Sequence, residues 1–204
     1  MASTPPEPTP LPMLGERRER ADAAANRRRI LAAARKLLAE QGVEGLTMQA
    51  VASAAGVGKG TVFHRFGDRD GLTGALIDEY MREFQDSFLR GPPPLGPGAP
   101  PEERLEAFVA ELVHLQVDHL EAALAAEGTV SEELAPAYAI LLMHLANLIA
   151  EINPRLDAPI IAAYLLSAFA PPVLHRMHTH GEIDVPRLQQ AALQLVRGIG
   201  EESA

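Results

Sequence analysis

The chain has no cysteine among its 204 residues. Disulfides and thiolate metal sites are thereby excluded, and the reducing cytoplasm is the expected compartment. No apolar run approaches the roughly 20 residues that span a membrane, so no membrane partner is expected. Residues 1–15 hold five prolines and no apolar stretch of the signal-peptide kind. We therefore expect a disordered tail over about 1–20. Strand-like alternation and internal repeats are missing. So are any nucleophile–base pattern, P-loop or Rossmann fingerprint. The expectation is an all-α protein that is not an enzyme, long enough for one large domain or two small ones.

The net charge of −9 would by itself argue against a nucleic-acid partner. Its distribution reverses the argument. Residues 1–90 carry 13 Lys/Arg and 12 Asp/Glu, whereas residues 91–204 carry 5 and 15. Within 17–65 there are 10 basic and 4 acidic residues. Basic charge is concentrated where phosphate would be neutralised, and the acidic remainder is repelled by DNA.

The most informative stretch is TMQAVASAAGVGKGTVFHRF, residues 47–66. Thr47 is a good N-cap, since its hydroxyl can accept from a free backbone N–H. Leu46 and Val51 occupy the two positions of a hydrophobic staple. Met48, Val51, Ala52 and Ala55 recur at helical spacing. Gly56 follows where a tight turn needs positive φ, and Val57 can plug the angle between helices. A second short helix, about 59–66, places Val62 and Phe66 on one side and polar residues around the rest. This is the layout of a helix-turn-helix, whose second helix enters the DNA major groove.

The longer run 27–77 resembles the DNA-binding domain of the tetracycline-repressor (TetR) family of transcriptional regulators. The matching pieces are Ile30–Leu31, Ala34, Leu37–Leu38, the Gly42 turn, Thr47, Ala52–Ala55–Gly56–Val57 and the recognition-helix motif KGTVFHRF. Arg69 and Leu72 match the family's Lys and Leu beyond that helix. The resemblance covers about a quarter of the chain. It implies a homodimeric regulator, most often a repressor, bound to a palindromic double-stranded operator and released by a small-molecule effector. It places Thr47, Gln49, Lys59, Gly60, Thr61, Phe63, His64, Arg65 and Arg69 at the DNA. Lys59 can reach a guanine edge or a phosphate, Gly60 lets the backbone approach, and Thr61 can meet a thymine methyl or a phosphate. Phe63 stands where the family usually has Tyr, so a hydroxyl contact is lost. Arg65 replaces a frequent His and is a permanent phosphate partner. Gly58 replaces a common Ser and leaves the recognition helix with a poorer cap. The cluster Arg27–Arg28–Arg29 reads equally as a solvated face or a phosphate contact.

The expected organisation is a tail (1–20), a helix-turn-helix domain (21–68), a connecting helix (69–90), a linker (91–101) and a second domain (102–204), with about nine helices in all. The linker GPPPLGPGAPP has six prolines in eleven residues, which cannot stay helical. In the second domain, periodicity predicts a helix from about 102 that bends or breaks before Gly128. A capping box at Thr129–Glu132 precedes a helix to about 152. Another helix over 158–180 is kinked or split by Pro171–Pro172, and a last one starts near Asp184. By resemblance, the last two helices form the dimer interface, with Ile160, Ile161, Tyr164, Leu165, Leu188, Leu195 and Val196 as the apolar supply. An effector pocket is implied in the same domain. Helical faces offer Phe108, Leu112, His119, Tyr138, Leu141, His144, Leu145 and Tyr164 as its lining, although a Phe or Leu on an apolar face is more often core than pocket wall.

His175, His178 and His180 could hold Zn or Ni, since 175 and 178 share a helix face. A polar helix end is the simpler reading, and no metal or cofactor is expected. Three functions stay open: a ligand-released dimeric repressor; a DNA-binding regulator under metal-dependent or ligand-independent control; and an all-helical enzyme or scaffold with an incidental helix-turn-helix.

Overall fold

A computed structural model of the chain describes residues 14–126, 135–181 and 184–200. Among them are ten helices and no strand, apart from an isolated bridge between Pro97 and Ala99. The chain divides into two compact units, Met1–Arg65 and Phe66–Ala204. The division falls next to the second short helix of the 47–66 stretch, so residues 91–101 lie inside the second unit rather than between two domains.

The first unit is built on α1 (Leu14–Gly45) and α2 (Met48–Ala55), which pack together, and on α3 (Lys59–Phe66), which ends across the boundary. Helix α1 begins about nine residues before its apolar periodicity does, so part of the stretch read as a tail is helical. Gly42 interrupts it with φ 67° and ψ −170°, a conformation that a side chain would strain. Ile30, Leu31, Ala34 and Leu37 of α1 are buried, as are Leu46, Met48, Val51, Ala52, Ala55 and Val62. Burying each large aliphatic side chain contributes about 1.5–3 kcal/mol, so this small apolar set holds the unit together.

The second unit opens with α4 (Arg69–Arg90). Asp68 caps it, its carboxylate accepting from Gly71 N at 2.9 Å. Residues 91–100 then form a folded turn, with Gly96 N donating to Pro92 O at 2.9 Å. Helix α5 (Pro101–Asp118) starts with proline at its first position, where the missing N–H costs nothing. His119 takes φ −116° and ψ 17° and separates α5 from α6 (Leu120–Ala126), which accounts for one helix more than the expected nine. Next comes α7 (Ala135–Ile152); the capping box read at Thr129–Glu132 lies outside the described residues.

The proline pair divides the 158–180 region into α8 (Ala158–Ala168) and α9 (Pro171–Gly181). The break bends this pair by 53°. Asp184 caps α10 (Val185–Gly200), accepting from Arg187 N at 2.8 Å. Helix α5 packs on α10 and α7, α7 on α8, and α4 on α6. Their shared core includes Phe84, Phe88, Leu105, Phe108, Leu112, Leu141, Leu145, Leu148, Ile149, Leu165, Leu174 and Val196. On the surface, the Arg197 guanidinium clamps the Glu106 carboxylate at 2.8 and 3.1 Å. Arg197 holds that carboxyl below its ordinary range. Among the described residues no single helix is long and apolar enough to cross a membrane.

Candidate nucleic-acid interface

The α2–turn–α3 geometry follows from local chemistry. Thr47 is extended (φ −102°, ψ 147°), and its Oγ1 accepts from Ala50 N at 3.1 Å, satisfying an amide that the helix leaves free. Leu46 and Val51, on either side of this cap, are fully buried. At the other end Gly56 sits in the left-handed region (φ 64°, ψ 38°). Gly56 N donates to Ser53 O at 3.2 Å and Val57 N to Ala52 O at 3.0 Å. That pair of backward bonds is a Schellman closure, which aims the chain sharply into α3. Gly58 O accepts from Thr61 N at 2.9 Å, but Gly58 brings no side chain to cap the remaining amides of α3.

Helix α3 turns Val62 inward, fully buried, and its polar face outward. Lys59, Gly60, His64 and Arg65 are exposed, and Thr61 is partly so. Phe63 is 47% exposed, an unusual position for a large apolar ring. The Lys59 ammonium lies 5.7 Å from the Phe63 ring centre, so the two share one side of the helix. Thr47 and Gln49 are exposed at the start of α2. No acidic residue occurs from 47 to 67. Arg69 is half-buried in the first turn of α4, in the second unit, where its carbonyl accepts from Thr73 Oγ1 at 2.8 Å.

An open concavity of about 660 Å³ is lined by Arg27, Gly60, Thr61, His64 and Arg65. Arg27 joins this wall from α1. The sequence offered it only as one member of an arginine triplet, and nothing local distinguishes it from Arg28 and Arg29, which are exposed. Arg29 is held by Asn26 Oδ1 at 2.8 Å. The concavity presents two guanidiniums, an imidazole, a hydroxyl and a stretch of bare backbone on one side of the unit.

A scan against family models matches residues 30–76 to bacterial regulatory proteins of the tetR family. Residues 30–76 are thus similar to the DNA-binding segment of that family. An HTH-type transcriptional regulator of Staphylococcus aureus is 38% identical over 69 residues, which is 34% of this chain and 37% of that relative. The chain thus matches little more than a third of the curated relative's length. Over the whole molecule the resemblance is one of fold. A putative TetR-family regulator from Rhodococcus covers 87% of the chain and 100% of its own, with TM-score 0.61 and 20% identity. A regulator from Bacillus subtilis, solved with stearoyl-CoA, covers 85% and 98%, with TM-score 0.60 and 18% identity.

The eight residues offered as pocket lining separate in the second unit. Phe108, Leu112, Leu141 and Leu145 are buried in its core. His144 joins them from α7, its ring stacked on Phe88 at 4.4 Å and tilted against Phe108 at 5.4 Å. Burial, with the Arg104 charge adding to it, pushes the His144 imidazole down to about 4. His119 instead stacks on Tyr80 at 3.7 Å, at the break between α5 and α6. Tyr138 and Tyr164 do not enter the interior, and Tyr164 is 73% exposed. Of the apolar supply for a dimer, Leu165 and Val196 belong to the core, while Ile160, Tyr164 and Leu195 stand on the surface. His175 is exposed; the side chains of His178 and His180 lie outside the described residues.

Proposed function

We propose that this protein is a sequence-specific DNA-binding transcriptional regulator that acts in the cytoplasm as a homodimeric repressor and is released from a palindromic operator by a small-molecule effector. The observation that carries the reading is the wall formed by Arg27, Gly60, Thr61, His64 and Arg65 on a capped helix-turn-helix. Lys59, Arg65, Arg69 and Arg27 supply phosphate partners, which set register and affinity. Lys59, Thr61, Phe63 and His64 meet base edges, with Phe63 taking a thymine methyl. Thr47 and Gln49 anchor the start of the preceding helix on the backbone.

One such helix reads only a few base pairs, so affinity needs a second copy. Ile160 and Tyr164 lie one turn apart on α8 and, with Leu195 of α10, are large apolar side chains facing solvent in the single chain. A two-fold partner would bury them against their own copies. The second unit has an aromatic interior beside a half-buried imidazole, and a neighbour of the same fold is solved with a bound ligand. An effector there releases DNA by binding the free dimer more tightly than the DNA-bound one. A hundredfold loss of operator affinity requires about a hundredfold difference in effector affinity between the two states. Relatives named as transcriptional regulators weigh against an enzyme.

Light scattering of the protein on a short duplex enriched for binding tests the reading. Two chains per duplex, lost on adding an effector, are expected. One chain per duplex would overturn the dimeric reader.

A further inference from the structure

Among the described residues, two buried side-chain polar atoms have no hydrogen-bond partner: Arg104 Nε and His144 Nε2. Both are nitrogens, and they lie on packed neighbours, Arg104 in the first turn of α5 and His144 on the inner face of α7. A guanidinium stays charged at any working pH, so its buried N–H needs an acceptor. None is supplied. Glu106, two residues away, is taken by Arg197. Glu102 and Glu103 are exposed, and no described acidic residue is ion-paired with Arg104. A cation in the first turn also opposes the helix dipole, which favours an anion there. A buried donor left without an acceptor is destabilising. Two such atoms on packed helices, near enough for the Arg104 charge to act on the His144 imidazole, are an unfavourable arrangement unless something else completes them.

We propose that Arg104 and His144 together bind the carboxylate of an apolar small molecule whose body lies against Phe84, Phe88 and Phe108. The inference rests on reading the second unit as the effector domain and names the effector's chemical class. Two N–H donors, Arg104 Nε and a neutral imidazole protonated at Nε2, match the two oxygens of a carboxylate. One negative charge balances one guanidinium; a phosphate dianion would leave charge uncompensated. The apolar body follows from the walls. The rings of Phe84 and Phe108 stand 5.0 Å apart, those of Phe88 and Phe108 5.1 Å, and His144 lies on Phe88. Parting these rings to admit a ligand breaks no hydrogen bond.

Calorimetry on the purified full chain tests this with octanoate, decanoate and phenylacetate, each beside its neutral amide. At least one carboxylate is expected to bind about tenfold or more tightly than its amide, a difference of about 1.4 kcal/mol. Arg104→Met should abolish that preference and leave amide affinity within about twofold, whereas Arg104→Lys should keep part of it. If Arg104→Met does not give a cooperative melt, His144→Phe carries the comparison with the same expected loss. Equal binding of acid and amide, no carboxylate binding, or a preference that survives in the folded variants would overturn the site. Operator release is measured separately with the same compounds. A carboxylate that binds but leaves DNA in place keeps the site and overturns the effector reading. Release by a neutral compound without carboxylate binding overturns the site alone.

Discussion

Replacing Gly60 by alanine separates folding from DNA binding more sharply than any other change in the interface. Gly60 is exposed in the first turn of α3, and a Cβ placed on it meets nothing within 4 Å. Its backbone is helical, so alanine introduces no strain. Alanine is favoured over glycine in a helix by up to about 1 kcal/mol, less in a first turn. The free protein should therefore be unchanged or stabilised by about 0.5 kcal/mol, a rise of a few degrees in the melting temperature of a small unit. If Gly60 lies where bare backbone meets the duplex, the added methyl stands in that contact twice per dimer. Loss of one good contact per head costs about 1–3 kcal/mol, so operator affinity should fall at least tenfold, or about 1.4 kcal/mol. Thermal melting and fluorescence anisotropy on a labelled operator read the two effects. Unchanged affinity in a protein of equal or greater stability would remove the Arg27–Gly60–Arg65 wall from the DNA surface.

Other changes probe different links in the account. Lys59→Ala should weaken operator binding strongly in a gel shift while leaving the melt unchanged; retained affinity would take Lys59 out of the interface. Arg27→Ala should lower the slope of log affinity against log salt by about two per dimer, one phosphate per head, and an unchanged slope would make Arg27 a solvated residue. Thr47→Ala removes the Oγ1 acceptor of Ala50 N and should cost about 1 kcal/mol in denaturant melts, with no loss counting against the cap. Tyr164→Glu should give a monomer by sedimentation, and a persistent dimer would exclude this face. The His144 pKa lies below its unfolded value, near 4 against 6.5. The unfolded chain then binds the extra proton between these values, so stability is full above about 6.5 and falls as pH drops towards 4. His144→Phe should flatten that part of the melting profile, and an unaltered slope would contradict the burial of the ring.

What the sequence made legible was local. The cap at Thr47, the left-handed Gly56 and the proline pair at 171–172 each act within a few residues, so each element boundary there can be read directly. The start of α1 was not legible, because residues 14–22 are mostly charged and carry no apolar period. The proline content of 91–101 excludes helix, yet it says nothing about which unit the loop folds into. Helical faces showed that Tyr164 and Leu165 are apolar neighbours; they did not show that one would be buried and the other exposed. Arg104 was missed altogether. On α5 it follows two glutamates and looks like one more solvated charge, and only the tertiary packing buries its Nε and brings its charge to bear on His144. Arg27 likewise separates from Arg28 and Arg29 only when α3 is in place beside it.

Selection of bound sequences from a random duplex library, with purified protein at fixed salt, tests the central claim most directly. The account predicts an enriched inverted repeat whose half-site centres lie one helical turn, about 34–36 Å, or a multiple apart. Enrichment of nothing, with only salt-sensitive binding to all duplexes, would contradict it.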